Sequence, residues 1–319
     1  MAAAPAELAS LVAGVRAGDT RAVARAISQV ENEAALSQSL LAALFPHAGR
    51  ALVVGVTGPP GAGKSSLVDR LTALLRAEGR SVGIVAVDPS SPFSGGAILG
   101  DRIRMQAHAT DPGVFIRSMA TRGHLGGLAA ATDHVVTVLS AAGKDVILVE
   151  TVGVGQDEVE IVGTADVSVV VLVPGLGDEV QALKAGIMEI ADVFVVNKAD
   201  RDGVDRVVAE IESMLSLVPT GAVPPAIVRT VATRDEGTRA LVDAVVAFHE
   251  RARGSGALAR KRRMTLARQL QDAVTRRLAQ RAFGALRPGE HDALVERLVK
   301  RELDPWSAAE ELVERAVRA

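Results

Sequence analysis

Residues 51–66 read Ala-Leu-Val-Val-Gly-Val-Thr-Gly-Pro-Pro-Gly-Ala-Gly-Lys-Ser-Ser, an apolar run followed by a glycine-rich turn. The turn fits the phosphate-binding pattern G-x-x-x-x-G-K-[ST], and the chain around it predicts the strand before and the helix after that this pattern requires. Glycines let backbone N–H groups face phosphate oxygens, and the helix start adds the positive end of its dipole. We therefore predict a nucleoside triphosphate site formed by Gly58, Pro59, Pro60, Gly61, Ala62, Gly63, Lys64, Ser65 and Ser66.

The composition narrows the class of protein. With 319 residues, of which 48% are hydrophobic, the chain is long enough for one large domain with appendages or for two domains. A net charge of −2 argues against bulk electrostatic binding to nucleic acid or membrane. The absence of cysteine excludes disulfides and thiolate metal sites. We expect neither a signal peptide nor a transmembrane helix, and hence a cytoplasmic protein.

Hydrophobic periodicity predicts the order of elements. Residues 3–46 are expected to form three helices, the second beginning after an N-cap at Asp19 and the third running from about Glu33 to Leu44. Helical patterns then separate strand-like runs, and after about Arg251 three helices follow, at about 257–283, 288–302 and 305–319, with Asp304 a candidate N-cap for the last. The predicted strands are Leu52–Thr57, Val82–Asp88, Val114–Ser118, Val146–Glu150, Val167–Val173, Val193–Asn197 and Ala226–Val231.

These runs predict an α/β fold. Nearly continuous Val, Ile and Leu in strands separated by helices is typical of a mostly parallel central sheet with helices on both faces. We expect three regions: a helical N-terminal extension over 1–47, a P-loop domain over 48–253 and a helical docking or dimerisation segment over 254–319.

A second motif, Val195-Val-Asn-Lys-Ala-Asp200, lies at a predicted strand end and matches the N-K-x-D sequence of GTPases. The Asp200 carboxylate would accept hydrogen bonds from guanine N1–H and the 2-amino group, a donor pair that adenine lacks. Asn197 and Lys198 would brace the pocket. The sequence therefore predicts GTP and GDP as the ligands.

Carboxylates at other strand ends are candidate magnesium ligands. Glu150 begins Glu-Thr-Val-Gly153, which stands where GTPases usually show D-x-x-G, and the Gly153 N–H would sense the γ-phosphate. Asp88 closes the second strand, and Asp101 follows a glycine-rich segment, where it could instead cap a helix. Val154 occupies the place of the water-orienting glutamine of Ras-like GTPases, so we expect either that intrinsic hydrolysis is slow or that another group orients the water.

Taken together, the sequences GPPGAGKSS, VDPSSPFSGGAILGDRIRM, ETVGVGQ, PGLGDEVQALKAG and NKAD resemble the MeaB/ArgK family of SIMIBI-class P-loop GTPases, most strongly over residues 20–250. The resemblance implies a homodimeric chaperone that uses GTP to gate adenosylcobalamin delivery to a cobalamin-dependent acyl-CoA mutase, chiefly methylmalonyl-CoA mutase, and to protect that mutase. A cobalamin adenosyltransferase is a further candidate partner.

The resemblance also assigns roles to residues. It implies Mg²⁺ contacts at Ser65, Asp88, Asp101 and Glu150, guanine contacts at Asn197, Lys198 and Asp200, and a base-side loop at Val231, Ala232 and Thr233, which departs from the usual Ser-Ala pair. The segment from Pro174 to Lys184 corresponds to a third switch, with Lys184 as the residue that couples nucleotide state to the mutase. The expected catalytic residues are Lys64, Asp88, Asp101, Glu150, Gly153 and Lys184.

Three other functions would require sequence features that differ from those of this chain. A nickel-insertion GTPase usually carries Cys- or His-based ligands, whereas this chain has no Cys and its six His form no close cluster in sequence. A P-loop kinase acting on a small metabolite or transport protein would mostly use ATP, which N-K-x-D disfavours. The segment from Arg251 to Arg281 is basic, but Leu266, Leu270, Val274 and Leu278 form one apolar stripe without interleaved aromatics, which favours protein docking over nucleic acid.

Overall fold

The computed structural model describes residues 5–88, 108, 110–120, 127–151, 165–175, 190–216 and 223–318. The chain divides into two compact units, Met1–Arg262 and Arg263–Ala319. Within the described ranges the strands are β1 (Leu52–Thr57), β2 (Val82–Asp88), β3 (Val114–Ala120), β4 (Val146–Thr151), β5 (Val167–Leu172), β6 (Val193–Asn197) and β7 (Ala226–Thr230). All seven correspond to predicted strands, with ends that differ by no more than two residues.

The first unit contains helices α1 (Pro5–Arg16), α2 (Thr20–Glu31), α3 (Ser37–Leu44), α4 (Lys64–Ala77), α5 (Gly127–Ala141), α6 (Val204–Leu215) and α7 (Thr238–Gly254). Asp19 caps α2 as predicted, because its carboxylate accepts a hydrogen bond from the Ala22 N–H at 2.7 Å. The third helix begins later than expected, at Ser37. Glu33 adopts a left-handed backbone conformation, with φ of 47°, so a right-handed helix cannot start there.

The seven strands form one parallel sheet in the order β3-β2-β4-β1-β5-β6-β7. β1 therefore lies at the centre, between β4 and β5, and leads directly into the glycine-rich turn. In a parallel sheet the carboxyl ends of all strands meet at one edge, and ligands bind in the crevice outside that edge. The topology thus collects the predicted motifs after β1, β2, β4, β5, β6 and β7 at the same edge.

Helices cover both faces of this sheet. On one face, α4 and α7 bury Leu71 and Leu241 against the valines of the central strands. On the other face, α1, α2, α3 and α5 share a core with β2, β3 and β4, while α6 covers β5 and β6. The three N-terminal helices are therefore part of the domain core, where Val15, Ile27 and Leu40 are fully buried.

The second unit begins within helix α8 (Ala257–Gly284) and contains α9 (Glu290–Val299) and α10 (Pro305–Arg318). Asp304 caps α10 as predicted, accepting hydrogen bonds from the Trp306 and Ser307 N–H groups at 2.9 and 3.1 Å. A hydrogen bond from the Ser307 hydroxyl, followed by the one from the Ser307 N–H, holds the pKa of Asp304 below its ordinary value. Along the described chain, none of the helices combines the length and the apolar character that crossing a bilayer would need.

Candidate functional site

The glycine-rich turn between β1 and α4 has backbone geometry that only glycine tolerates at two positions. Gly58 has φ of 141°, and a Cβ there would lie 2.1 Å from the Val171 carbonyl oxygen. Gly63 has φ of 88° and precedes the first residue of α4, and a Cβ there would lie 2.4 Å from Asn197 Nδ2. Side chains at either position would displace the turn from β5 or β6, so these glycines fix the turn at the end of the sheet.

Lys64 is buried within this turn. Its Nζ donates hydrogen bonds to the Gly58 and Pro59 carbonyl oxygens at 2.7 and 3.0 Å, and its side chain is about 95% removed from solvent. The ammonium group is therefore held inside the loop, next to the backbone that would surround a phosphate. An arriving phosphate oxygen can replace these neutral carbonyl acceptors, because a charge-assisted hydrogen bond is the stronger one.

Ser65 and Glu150 come together beside Lys64. The Ser65 hydroxyl donates to Glu150 Oε1 at 2.5 Å, and Glu150 is buried near the end of β4. One residue further on, the Thr151 hydroxyl donates to Thr57 Oγ1 at 2.9 Å and ties β4 to β1. A hydroxyl and a carboxylate are hard oxygen donors of the kind that Mg²⁺ takes, so these residues fit the metal expected from the sequence.

A cavity of about 380 Å³ opens over these groups. Its polar lining comes from the turn, Ser65, Glu150 and Lys198, and its apolar lining from Ala86 and Val87 at the end of β2. The cavity therefore joins the glycine-rich turn, which follows β1, to the carboxyl ends of β2, β4 and β6. Asp88 is the last residue of β2, and the described part of the chain does not include its side chain.

Asn197 connects the phosphate turn with the N-K-x-D motif. Its Nδ2 donates to the Ala62 carbonyl oxygen at 2.8 Å, and its Oδ1 accepts from the Thr230 hydroxyl at 3.0 Å and from the Ala232 N–H at 3.2 Å. The side chain is buried, so all three hydrogen bonds are shielded from water. One amide therefore fixes the distance between the phosphate turn, β7 and the base-side loop.

Lys198 and Asp200 follow Asn197 at the rim of the site. Lys198 has φ of 56°, and its Nζ donates to the Gly61 carbonyl oxygen at 2.7 Å. Asp200 keeps about a third of its side chain exposed and lies 3.3 Å from the guanidinium of Arg234. Asp200 therefore lies near the predicted base-side loop Val231-Ala232-Thr233, whose last two residues form a short 3₁₀ turn with Arg234, whereas Lys198 contacts the glycine-rich turn.

Two arginines in this region were not predicted from the sequence. Arg234 directly follows the predicted base-side loop, and its position there was the available signal. Arg70 lies on α4, two turns from Lys64, and its Nε donates to the Ala232 carbonyl oxygen at 3.2 Å. Nothing in the local pattern distinguishes Arg70 from a surface arginine, because the contact joins residues 162 positions apart.

Two polar pairs join α4 to His108 and Asp111, which precede β3. His108 Nε2 lies 3.1 Å from Asp69 Oδ1 on α4, and Arg76 Nε donates to Asp111 Oδ2 at 2.8 Å. The hydrogen bond from Arg76, followed by one from the Gly113 N–H, holds the pKa of Asp111 below its ordinary value. The helix that begins at the phosphate turn therefore also anchors this segment.

Three predicted site residues lie outside the described residues: Asp101, Gly153 and Lys184. The same holds for Val154, and for the predicted third switch beyond Gly175. Their expected roles remain predictions. Among the described residues, Lys64, Ser65 and Glu150 line one cavity, and Asn197 is joined to the glycine-rich turn through Ala62. Their functional roles also remain predictions.

The Asn197→Asp substitution tests the hydrogen bond between Asn197 Nδ2 and the Ala62 carbonyl oxygen. It keeps the shape of the side chain but removes the donor to Ala62, and it leaves a buried carboxylate facing a carbonyl oxygen. We expect GDP affinity to fall about tenfold or more, since an unmatched buried polar group costs about 1–3 kcal/mol. Titration of the protein with a fluorescent GDP derivative measures the change.

Asn32→Asp is the matched control, because Asn32 Nδ2 also donates to a backbone carbonyl, that of Ser28 at 2.8 Å, at an exposed helix end. GDP affinity should stay at the wild-type value in this variant. Equal affinities for Asn197→Asp and Asn32→Asp would contradict the bridging role of Asn197.

Comparisons with known proteins identify relatives of this chain. A family model described as methylmalonyl Co-A mutase-associated GTPase MeaB matches residues 23–287. A protein of Pyrococcus abyssi that is named as a GTPase is 48% identical over 312 residues, which cover 96% of each chain. The GTPase ArgK of Escherichia coli is 44% identical over 201 residues, covering 62% of this chain and 61% of that one. A crystal structure described as LAO/AO transport system kinase matches with a TM-score of 0.70 at 28% identity, over 98% of both chains.

Proposed function

The chain belongs to the MeaB family of methylmalonyl Co-A mutase-associated GTPases, and from this premise we propose that it is a chaperone of a cobalamin-dependent acyl-CoA mutase. In this proposal, GTP binding and hydrolysis gate the delivery of adenosylcobalamin to the mutase and protect the mutase. Methylmalonyl-CoA mutase is the first candidate partner, because the description of the family names it.

The observation that carries the nucleotide part of the proposal is the tie between Asn197 Nδ2 and the Ala62 carbonyl oxygen. It holds the phosphate turn and the base-reading motif at a fixed spacing, as a ligand with both a triphosphate and a guanine requires. Asp200 would accept hydrogen bonds from guanine N1–H and the 2-amino group. Adenine would leave this carboxylate without those donors, and the cost of that mismatch favours GTP over ATP.

Hydrolysis in this site is the attack of a water oxygen on the γ-phosphorus. A new P–O bond forms, the bond to the β–γ bridging oxygen breaks, GDP leaves, and the proton of the water passes to the released phosphate. Lys64 would move from the Gly58 and Pro59 carbonyls to the β- and γ-phosphate oxygens. Mg²⁺, held by Ser65, Glu150 and the predicted ligands Asp88 and Asp101, would neutralise charge on the phosphates.

We propose that basal hydrolysis is slow and that the mutase accelerates it. Val154 stands where Ras-like GTPases carry a water-orienting glutamine, and a valine side chain can neither donate nor accept a hydrogen bond. Gly153 would sense the γ-phosphate through its N–H, and Lys184 would transmit nucleotide state to the mutase. These roles rest on the sequence motifs and on the family.

We also propose a role for each of the three regions of the chain. The helices of 1–47 support the GTPase domain of 48–253, and the segment 254–319 pairs with a second copy. In support of pairing, four side chains spaced four residues apart on α8 are 43–67% exposed, namely Leu266, Leu270, Val274 and Leu278. A monomer in sedimentation equilibrium would exclude this pairing. We further propose a cytoplasmic protein, with a cobalamin adenosyltransferase as an additional partner.

The test is GTP turnover by the purified protein, alone and with a cobalamin-dependent acyl-CoA mutase. We expect slow basal turnover and a stimulation of about tenfold or more, within the range of ordinary allosteric coupling. Lys184→Ala should reduce the stimulation while GTP affinity stays near the wild-type value. Lys144→Ala, at the opposite edge of the sheet, should keep the full stimulation.

Other outcomes would point elsewhere. If the mutase neither binds nor stimulates, the partner assignment fails while the GTPase activity stands. Transfer of the γ-phosphate to a metabolite or protein instead of water would make the chain a kinase. A tight Ni²⁺ site would point to metal insertion.

A further inference from the structure

Arg234 is a charged residue at the base-reading end of the site that none of the expected motifs includes. Its guanidinium lies 3.3 Å from Asp200 Oδ2, the carboxylate expected to read guanine. The ion pair of Arg206 with Glu210, by contrast, joins two residues of one helix, α6. Arg234 instead reaches from one loop of the site to another, which makes its position depend on the tertiary structure.

The loop that presents Arg234 is held from several directions. Arg70 Nε donates to the Ala232 carbonyl oxygen at 3.2 Å, and the Ala232 N–H donates to Asn197 Oδ1 at 3.2 Å. Val231 and Glu236 exchange backbone hydrogen bonds at 3.0 and 3.3 Å, which closes the loop on itself. The base of Arg234 is therefore fixed relative to the motif that contains Asp200.

The loop also requires a glycine at its exit. Gly237 has φ of 79°, and a Cβ there would lie 2.1 Å from the Arg229 carbonyl oxygen. A close approach of this kind leaves the loop little freedom to shift along β7. Arg234 thus starts from a defined backbone position, and only its side chain has to be ordered when it pairs with Asp200.

We infer that Arg234 is a positioning residue for base selection, whose guanidinium orients the Asp200 carboxylate so that both oxygens face a 2-aminopurine base. This inference rests on the proposed role of Asp200 in reading guanine. A carboxylate has about four lone-pair sites on its two oxygens. Guanine occupies one on each oxygen, so Oδ2 retains a second site on which the guanidinium stays while the base is bound.

Orientation matters more for guanine than for hypoxanthine. Guanine offers two parallel donors, N1–H and the 2-amino group, and needs both carboxylate oxygens in its plane. Hypoxanthine retains N1–H but lacks the 2-amino group, so its single hydrogen bond tolerates a rotated carboxylate. Removing Arg234 should therefore weaken GDP binding more than IDP binding, and the ratio of the two affinities reports on the orientation of Asp200.

The solvent exposure of Arg234 and Asp200 sets the expected effect of Arg234→Ala on the ratio of GDP to IDP affinity. The Arg234 side chain is 60% exposed and that of Asp200 is 34% exposed, so water screens the pair. Measured exposed ion pairs correspond to a factor of up to about five in an equilibrium constant. We therefore expect Arg234→Ala to lower the preference for GDP over IDP by about threefold to fivefold. An exposed side chain can be removed without loss of the fold, and a thermal melt checks this.

The experiment measures the dissociation constants of GDP and IDP by isothermal titration calorimetry. The variants are Arg234→Ala, Arg234→Lys, Asp200→Asn and the Arg234→Ala/Asp200→Asn double variant, with Arg206→Ala as the control. Arg206 is an exposed arginine in an ion pair on α6, so Arg206→Ala should keep the wild-type ratio. Arg234→Lys should retain most of the preference, because a lysine supplies the same charge.

The double variant separates this inference from the proposal beneath it. If Arg234 acts through Asp200, Arg234→Ala should change nothing further once Asp200 is replaced. An unchanged ratio in Arg234→Ala, or tighter GDP binding, would overturn the inference while a loss in Asp200→Asn keeps the guanine-reading role of Asp200. An unchanged ratio in Asp200→Asn itself would overturn both.

Discussion

Replacing Lys64 with alanine is expected to lower kcat for GTP hydrolysis by about 10²–10³-fold, the usual cost of losing one preorganised donor to developing charge. The Lys64 ammonium is already inside the phosphate turn, where it donates to the Gly58 and Pro59 carbonyl oxygens. It therefore needs no long movement to reach a phosphate oxygen. Single-turnover hydrolysis of radiolabelled GTP, with GDP affinity measured in parallel, separates the loss of catalysis from the loss of binding.

Lys144→Ala is the matched control for this experiment. Lys144 is a half-buried lysine whose Nζ also donates to a backbone carbonyl, that of Gly113 at 3.1 Å, but it lies just before β4, at the opposite edge of the sheet. Burial and the neighbouring Arg76 lower the pKa of its ammonium group. Hydrolysis by Lys144→Ala should equal that of the wild type. A kcat in Lys64→Ala within a factor of about three of this control would contradict the phosphate-binding role.

The second large effect is expected for stability, in Arg262→Ala. Asp166 is buried just before β5, and its carboxylate accepts two hydrogen bonds from Arg262, at 2.7 and 2.8 Å, and one from the Val53 N–H at 3.0 Å. Arg262 also donates to the Gly49 and Ala51 carbonyl oxygens, which precede β1. The hydrogen bonds to Asp166 raise the pKa of the guanidinium above its ordinary value.

Without Arg262 the Asp166 carboxylate stays buried and loses two of its three hydrogen bonds. Breaking a buried ion pair from one side costs about 3–5 kcal/mol. Because Arg262 is partly exposed and water can replace some of its contacts, we expect the free energy of unfolding to fall by about 3 kcal/mol, the lower end of that range. Urea denaturation of the nucleotide-free protein, followed by circular dichroism, measures this change.

Arg263→Ala provides the comparison, since Arg263 is the next residue of the same helix and is exposed. The free energy of unfolding of this variant should stay within about 0.5 kcal/mol of the wild type. Equal urea midpoints for the two variants would show that Asp166 finds other donors and that the Arg262 pair is dispensable.

Most of the elements of the sheet were predictable because their local pattern is unambiguous. Val167–Leu172 is buried at all six positions, and such a continuous apolar run between helices is typical of a parallel strand covered on both faces. The helix ends were less predictable. The third helix begins at Ser37 because the backbone at Glu33 is left-handed. This conformation is unusual for glutamate, so the sequence does not predict it.

The phosphate turn and the N-K-x-D motif were also predictable, since each is a short run of residues with fixed spacing. The contacts between them were not, because they join residues far apart in the chain. Asn197 reaches Ala62 over 135 positions, and Glu150 reaches Ser65 over 85. Neither spacing is encoded in a local pattern. Glu150 reaches Ser65 because β4 lies beside β1, and Asn197 reaches Ala62 because β6 lies two strands from β1 on the other side, next to β5.

The sequence by itself therefore determined the class of fold and the positions of the glycine-rich turn and the N-K-x-D motif, because hydrophobic periodicity and short motifs are local patterns of residues. Only the tertiary structure decided the order of the strands, the bridging role of Asn197 and the pairing of Arg234 with Asp200. The packing of Val15, Ile27 and Leu40 into the domain core belongs to the same group. The physical reason is that these contacts depend on which distant elements become neighbours, and that choice is made by the packing of the whole sheet.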